Sequence, residues 1–177
     1  MTKSFRTVFG VLGALCLLLE SGHGFAAGEA MLDGKAGFAK MKELAGEWTN
    51  KAEGQTVIYR VMSKGKSVME ILYAGTDHEM VTMYYLDGDD LVATHYCAQG
   101  NQPRLKLDTK ASRASKLVFD FAGGTNLDPA KDTHMHAERF TLVDTSHLTV
   151  ERDGYEDGRK SHTHKVEFTR GALAKGK

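Results

Sequence analysis

The chain has 177 residues, of which 41% are hydrophobic and 26% charged, with 23 basic and 23 acidic side chains. That length suits one domain, and the apolar share supports one core rather than a disordered chain. Balanced charge, with no basic run and no basic amphipathic helix, argues against nucleic acid and against anionic membrane as partners.

The first stretch, "MTKSFRTVFGVLGALCLLLE", carries Lys3 and Arg6 ahead of an apolar run at 8–19, then turns small and polar in "SGHGFAAGEA". This pattern predicts a secretory signal peptide over 1–26, with Gly24 and Ala26 small at the −3 and −1 positions of the cleavage site. The apolar run falls short of the ~20 residues a transmembrane helix needs. Leu15 stands before Cys16, where a lipidation site would carry Gly or Ala. The expected division is a signal peptide at 1–26, a flexible mature N-terminus at 27–33, a β-barrel domain at 34–170 and a disordered tail at 171–177. Losing Lys3, Arg6 and Glu20 leaves the mature chain at a net charge of −1. A periplasmic or secreted protein is expected, with no stable membrane insertion after cleavage. Cys16 leaves with the signal, so Cys97 has no partner within the chain and the domain must rely on its core.

"DGKAGFAKMKELAGEW", at 33–48, opens with a short helical pattern. Phe38, Met41 and Leu44 recur every three residues, and Gly46 is a stop signal. From Trp48 onward the period becomes two. Strands are expected near 46–52, 55–63, 66–74, 78–87, 90–98, 102–108, 115–121, 133–144, 147–153 and 160–169. The breaks between them carry turn chemistry, as in "AEGQ", "SKGK", "DGDD", "VDTS" and "RDGYEDGRK". Pro103 and Pro129 fall at an edge or in a loop. The longest break, "AGGTNLDPAKD" at 122–132, has the length of a loop that covers a site.

Ten short consecutive strands with one short N-terminal helix predict an all-β fold. An antiparallel up-and-down barrel of about 8–10 strands removes the exposed edges; a two-sheet sandwich is the alternative. "LAGEW", at 44–48, resembles the Gly-x-Trp start of the first strand in lipocalin-like, or calycin, barrels. "LYAGTDHEMVTMYYLDGDDLVATHYCAQGNQPRL" and "FDFAGGTNLDPAKDTHMH" resemble a group of uncharacterised bacterial secreted proteins with lipocalin-like domains. The resemblance spans roughly 38–170 and implies a fold, with no established chemistry to carry over.

Alternation then selects the inward side chains. In 133–144, Phe140 and Leu142 make the even face the apolar one, which carries His134, His136 and Glu138 inward. In 160–169 the even face holds His162, His164, Val166 and Phe168 against a polar odd face. Leu148 and Val150 point inward between them. His95 and Cys97 share a face with Leu91 and Ala93, and the opposite face of Val92, Thr94 and Tyr96 competes with it. His78 is expected at a strand mouth, Trp48 in the barrel floor, and Glu70 needs a partner if it points inward.

These residues define the candidate site: His95, Cys97, His134, His136, Glu138, His162 and His164. The leading expectation is a binding protein for a small apolar or amphipathic molecule, held in a barrel with a histidine-bearing polar end. The first alternative is metal or haem binding through His134, His136, His162 and His164, with zinc, copper or haem iron as the occupant. The second is an enzyme using His with Glu138 or Glu70 as acid–base groups. No Gly-x-Ser-x-Gly elbow, His-Glu-x-x-His pair, phosphate-cradling glycine loop or calcium loop occurs.

Overall fold

The computed structural model of the chain describes Met1 and residues 29–171. Apart from Met1, the expected signal peptide lies outside the described residues, as do 172–177. Asp33 begins α1 (Gly34–Glu43), its Oδ1 accepting the Ala36 N–H at 2.7 Å. That bond satisfies one of the N–H groups a helix start leaves free. Phe38, Met41 and Leu44 are all buried, at about 2 kcal/mol of apolar burial each. Gly46, at φ +130°, turns the chain out of the helix into the first strand.

Ten strands follow: β1 (Gly46–Asn50), β2 (Gln55–Met62), β3 (Ser67–Leu72), β4 (Met80–Asp87), β5 (Asp90–Tyr96), β6 (Gln102–Leu107), β7 (Lys116–Thr125), β8 (His134–Leu142), β9 (His147–Glu156) and β10 (Arg159–Arg170). Each pairs antiparallel with the next, and β10 returns to β1 through Trp48 opposite Arg170 and Thr49 opposite Thr169. The result is a closed up-and-down barrel rather than a sandwich, with no free sheet edge among the described residues. A closed ten-strand meander with a short helix is consistent with the lipocalin-like fold.

Helix α1 seals the end that holds the β4–β5 hairpin. Gly37 lies against the Leu91 and Leu107 side chains, and Gly34 sits so close to the Asp89 backbone that an added Cβ would stand 2.1 Å from its carbonyl oxygen. Trp48 Nε1 donates to the Leu44 carbonyl at 2.8 Å, and the Arg170 guanidinium lies 4.1 Å from the Trp48 ring. Arg170 also donates to the carbonyls of Glu43, Ala45 and Thr145, so it binds the helix end to the β8–β9 turn. Above α1, the rings of Tyr59, Tyr84, Phe119 and Phe140 meet edge-on at 5.6–6.4 Å.

Three departures from the expected elements concern the opposite end. β7 runs on through Gly123 and Gly124 to Thr125, with Gly124 paired to Pro103 and Thr125 to Gln102. The expected long break shrinks to 126–133, which turns on the Asp128 carbonyl and meets the β9–β10 hairpin where Asp157 N–H donates to the Lys131 carbonyl. β9 continues to Glu156, beyond the expected end at 153, and turns at Asp157–Gly158, both at positive φ. The register of β8 against β9 slips between Met135 and Ala137, and that of β10 against β9 between Lys160 and His162. An extra residue of this kind re-aims the side chains beside it.

Candidate functional site

The open end of the barrel encloses a cavity of about 750 Å³. β3, β5 and β9 finish there, and β4, β8 and β10 begin there, so six strands contribute to its wall. Leu72, Met80, Cys97, Met135 and Gly154 supply apolar lining, and His95, Arg152, His162 and His164 are among the polar groups, with Asp77, His78 and His134 nearer the rim. Such a mixture, mostly apolar with a few convergent polar groups, is what small-molecule sites use.

The cavity floor is a polar bar across the barrel. Arg152 of β9 stands opposite Glu138 of β8 on one side and His164 of β10 on the other. Its Nε donates to Glu138 Oε1 and its Nη2 to Glu70 Oε1, both at 2.7 Å. Glu70 comes from β3 and also accepts from the Tyr59 hydroxyl at 2.7 Å. Both carboxylates are fully buried, whereas Arg152 keeps a small exposed fraction of 13%. Burial alone would lower the Arg152 pKa, but Glu70 and Glu138 outweigh it and hold the guanidinium protonated.

Tyr84 joins the two carboxylates. Its hydroxyl lies 2.5 Å from Glu138 Oε2 and 3.0 Å from Glu70 Oε2. A phenol has one proton to donate, so it cannot serve two ionised carboxylates. The arrangement closes when Glu138 carries a proton, donates it to Tyr84, and Tyr84 donates to Glu70. Burial, followed by the charge of Glu70, pushes Glu138 up to about 7 against the opposing pull of Arg152. Glu138 is therefore the favoured seat of that proton. Burial also pushes the Tyr59 and Tyr84 hydroxyls well above the usual tyrosine range, so both stay protonated donors.

His95 flanks the bar on β5. It is 3% exposed, its Nδ1 is 2.9 Å from Thr82 Oγ1, and burial pushes its imidazole down to about 4. Burial, then Arg152, also lowers His164. His162 rests over Gly154, where an added Cβ would stand 2.2 Å from its Cε1. Ser161 Oγ donates to the Gly154 carbonyl, so its contact with His162 Nδ1 at 3.0 Å must be received from an Nδ1–H.

His134 and His136 form a separate unit. His134 Nδ1 is 2.7 Å from the Asp132 carbonyl, which can only accept, so that nitrogen carries the hydrogen. Its bare Nε2 then accepts from His136 Nδ1–H at 3.0 Å. The His136 ring is sandwiched between Tyr155 at 3.7 Å and Phe121 at 4.7 Å, both nearly parallel to it.

The sequence-derived candidates thus divide. His95, Cys97, His134, His162 and His164 line the cavity. Glu138 belongs to the bar beneath it. His136 is absent from the lining, and Met135, expected on the opposite face, lines it instead. The β8 slip is the cause: the expected face holds for Glu138 and Phe140, both buried, and fails at His136. For β5, the face with Leu91, Ala93 and His95 is buried and Tyr96 points out, 52% exposed. Among the described residues, no three His, Cys, Asp or Glu side chains converge as a metal site would require. The four histidines considered as ligands fall into two units, and His134 has both ring nitrogens committed to the protein.

Arg152, Tyr59 and Tyr84 were not among the sequence candidates. For Arg152 a signal existed, because Leu148, Val150 and Arg152 alternate onto one face. The neighbouring Asp153 alternates to the outer face. Burial alone would raise its pKa, but hydrogen bonds from Arg139, Lys160 and Thr163 outweigh that and hold it well below the usual range. No family model matches the chain, and no curated protein matches it either.

Proposed function

We propose that the protein is exported and holds a small apolar or amphipathic molecule in the open end of its barrel. The observation that carries this reading is Arg152 Nη1. The guanidinium lines the floor of the 750 Å³ cavity, and its Nε and Nη2 bond to buried carboxylates. Nη1 has no protein partner among the described residues, yet it is not a sealed, unsatisfied group. A donor held rigidly at the base of an apolar-walled space is the kind of polar group that orients a ligand. Export rests on the basic start, apolar run and small-residue exit of 1–26.

Native mass spectrometry of protein purified from its own host tests the first half. A reproducible additional mass is expected, and bare protein across several preparations would overturn the reading. N-terminal sequencing of the same material tests the second. It should begin at Ala27, and a chain beginning at Met1 would overturn export with cleavage.

A further inference from the structure

We propose that the cavity selects an uncharged molecule, an apolar body ending in a carbonyl-type acceptor that meets Arg152 Nη1, and discriminates against the corresponding carboxylate. This rests on the ligand-binding reading above and adds the ligand's charge class to it.

A lone arginine at the base of a pocket ordinarily suggests an acid as its ligand. Here the charge is already spent. The guanidinium faces Glu70 and Glu138, each at 2.7 Å and each fully buried. Among the described residues Arg152 is the only Lys or Arg that lines the cavity. His95 and His164, which flank it, are both held toward the neutral form by burial. Asp77 is the other charged side chain in the lining apart from the outward-facing Asp153, and it is acidic. At pH 8, above the value of about 7 at which Glu138 releases its proton, a ligand carboxylate would become a third anion around one cation. It would lose its water and face Glu70 and Glu138 without a charge of its own to pair with. A ketone, amide or ester oxygen accepts the Nη1–H with a much smaller desolvation cost. The two carboxylates keep Arg152 in place and remove its net charge, leaving a directional hydrogen-bond donor.

The test compares decan-2-one with decanoate at pH 8 by isothermal titration calorimetry on the mature protein. The ketone is expected to bind at least tenfold more tightly. In the Glu70→Gln/Glu138→Gln variant the guanidinium is no longer neutralised, and the ratio should move at least tenfold toward decanoate. If that variant fails to fold by circular dichroism, Glu138→Gln alone should move the ratio the same way, because at pH 8 it removes one negative charge. Both ligands binding with decanoate equal or tighter, or a ratio unmoved in a folded variant, would overturn the charge rule and leave ligand binding intact. Binding of neither molecule would overturn the ligand-binding reading and this inference with it.

Discussion

Glu138 and Arg152 face each other directly across β8 and β9, with Arg152 Nε 2.7 Å from Glu138 Oε1. This pair, extended by Glu70 and by the hydroxyls of Tyr59 and Tyr84, lies between the aromatic core and the cavity.

Glu138→Gln should make the barrel more stable relative to wild type at pH 8 than at pH 5. The folded state holds the Glu138 proton up to about 7, whereas the unfolded chain releases it near 4.5. Wild-type stability from this group is therefore complete below about pH 4.5 and is lost as pH rises to about 7. Glutamine fixes the neutral form and can still donate to Tyr84. The relative gain is expected to be on the order of 2 kcal/mol across that interval. Urea unfolding at the two pH values measures it, and a difference independent of pH would contradict the proton assignment.

His95 contributes in the opposite sense. Its pKa falls from 6.5 to about 4 on folding, so its stabilisation is present above 6.5 and lost as pH drops toward 4. His95→Gln should therefore flatten the acid side of the stability curve, measured as unfolding midpoint against pH between 4 and 7. An acid limb as steep as that of wild type would remove His95 as its source.

Arg152→Met leaves two buried carboxylates without a cation. Removing one partner of such a buried pair costs about 3–5 kcal/mol. The loss should be larger at pH 8 than at pH 5, where a proton can replace part of the missing charge. Thermal melts at both pH values check the size and the direction.

Gly154→Ala should displace the His162 ring while leaving the barrel folded. The new methyl would stand 2.2 Å from His162 Cε1, and His162 is an exposed side chain free to swing away. A stability change within about 1 kcal/mol is expected, together with a changed His162 imidazole signal in nitrogen-15 NMR. An unaltered signal would mean the ring does not rest on Gly154.

The His134–His136 bond fixes tautomers that NMR can read directly. In their neutral forms both rings should carry hydrogen on Nδ1, with Nε2 bare. A neutral His134 with its hydrogen on Nε2 in place of Nδ1 would break the chain from the Asp132 carbonyl to His136.

Much of the wall was legible from alternation. The helix face of Phe38, Met41 and Leu44, the buried Trp48, and the inward series ending in Val166 and Phe168 all follow from period three or period two. The site's main cation was missed because "RDGYEDG" contains two Asp-Gly pairs. Either could turn the chain, and stopping the strand at 153 made Arg152 look like a strand end. Only Asp157–Gly158 turns. Asp153–Gly154 stays extended because Gly154 pairs with Met135 and His162 and has room for the His162 ring only by lacking a side chain. The extra residues near His136 and Ser161 leave no mark in the hydrophobic pattern, so neither slip could be anticipated. The Glu70–Arg152 bond joins β3 to β9 across the lumen, a relationship between non-adjacent strands that alternation along one strand does not report.

The seal formed by α1 makes the barrel a cup and not a pipe. With the base closed by the helix and a crossbar above it, an occupant would arrive and depart through one doorway, polar tip leading on the way in. Its far end would then face the rim, so extending a bound molecule at that tail, even to tether it to a bead, should leave its grip on the cup unchanged.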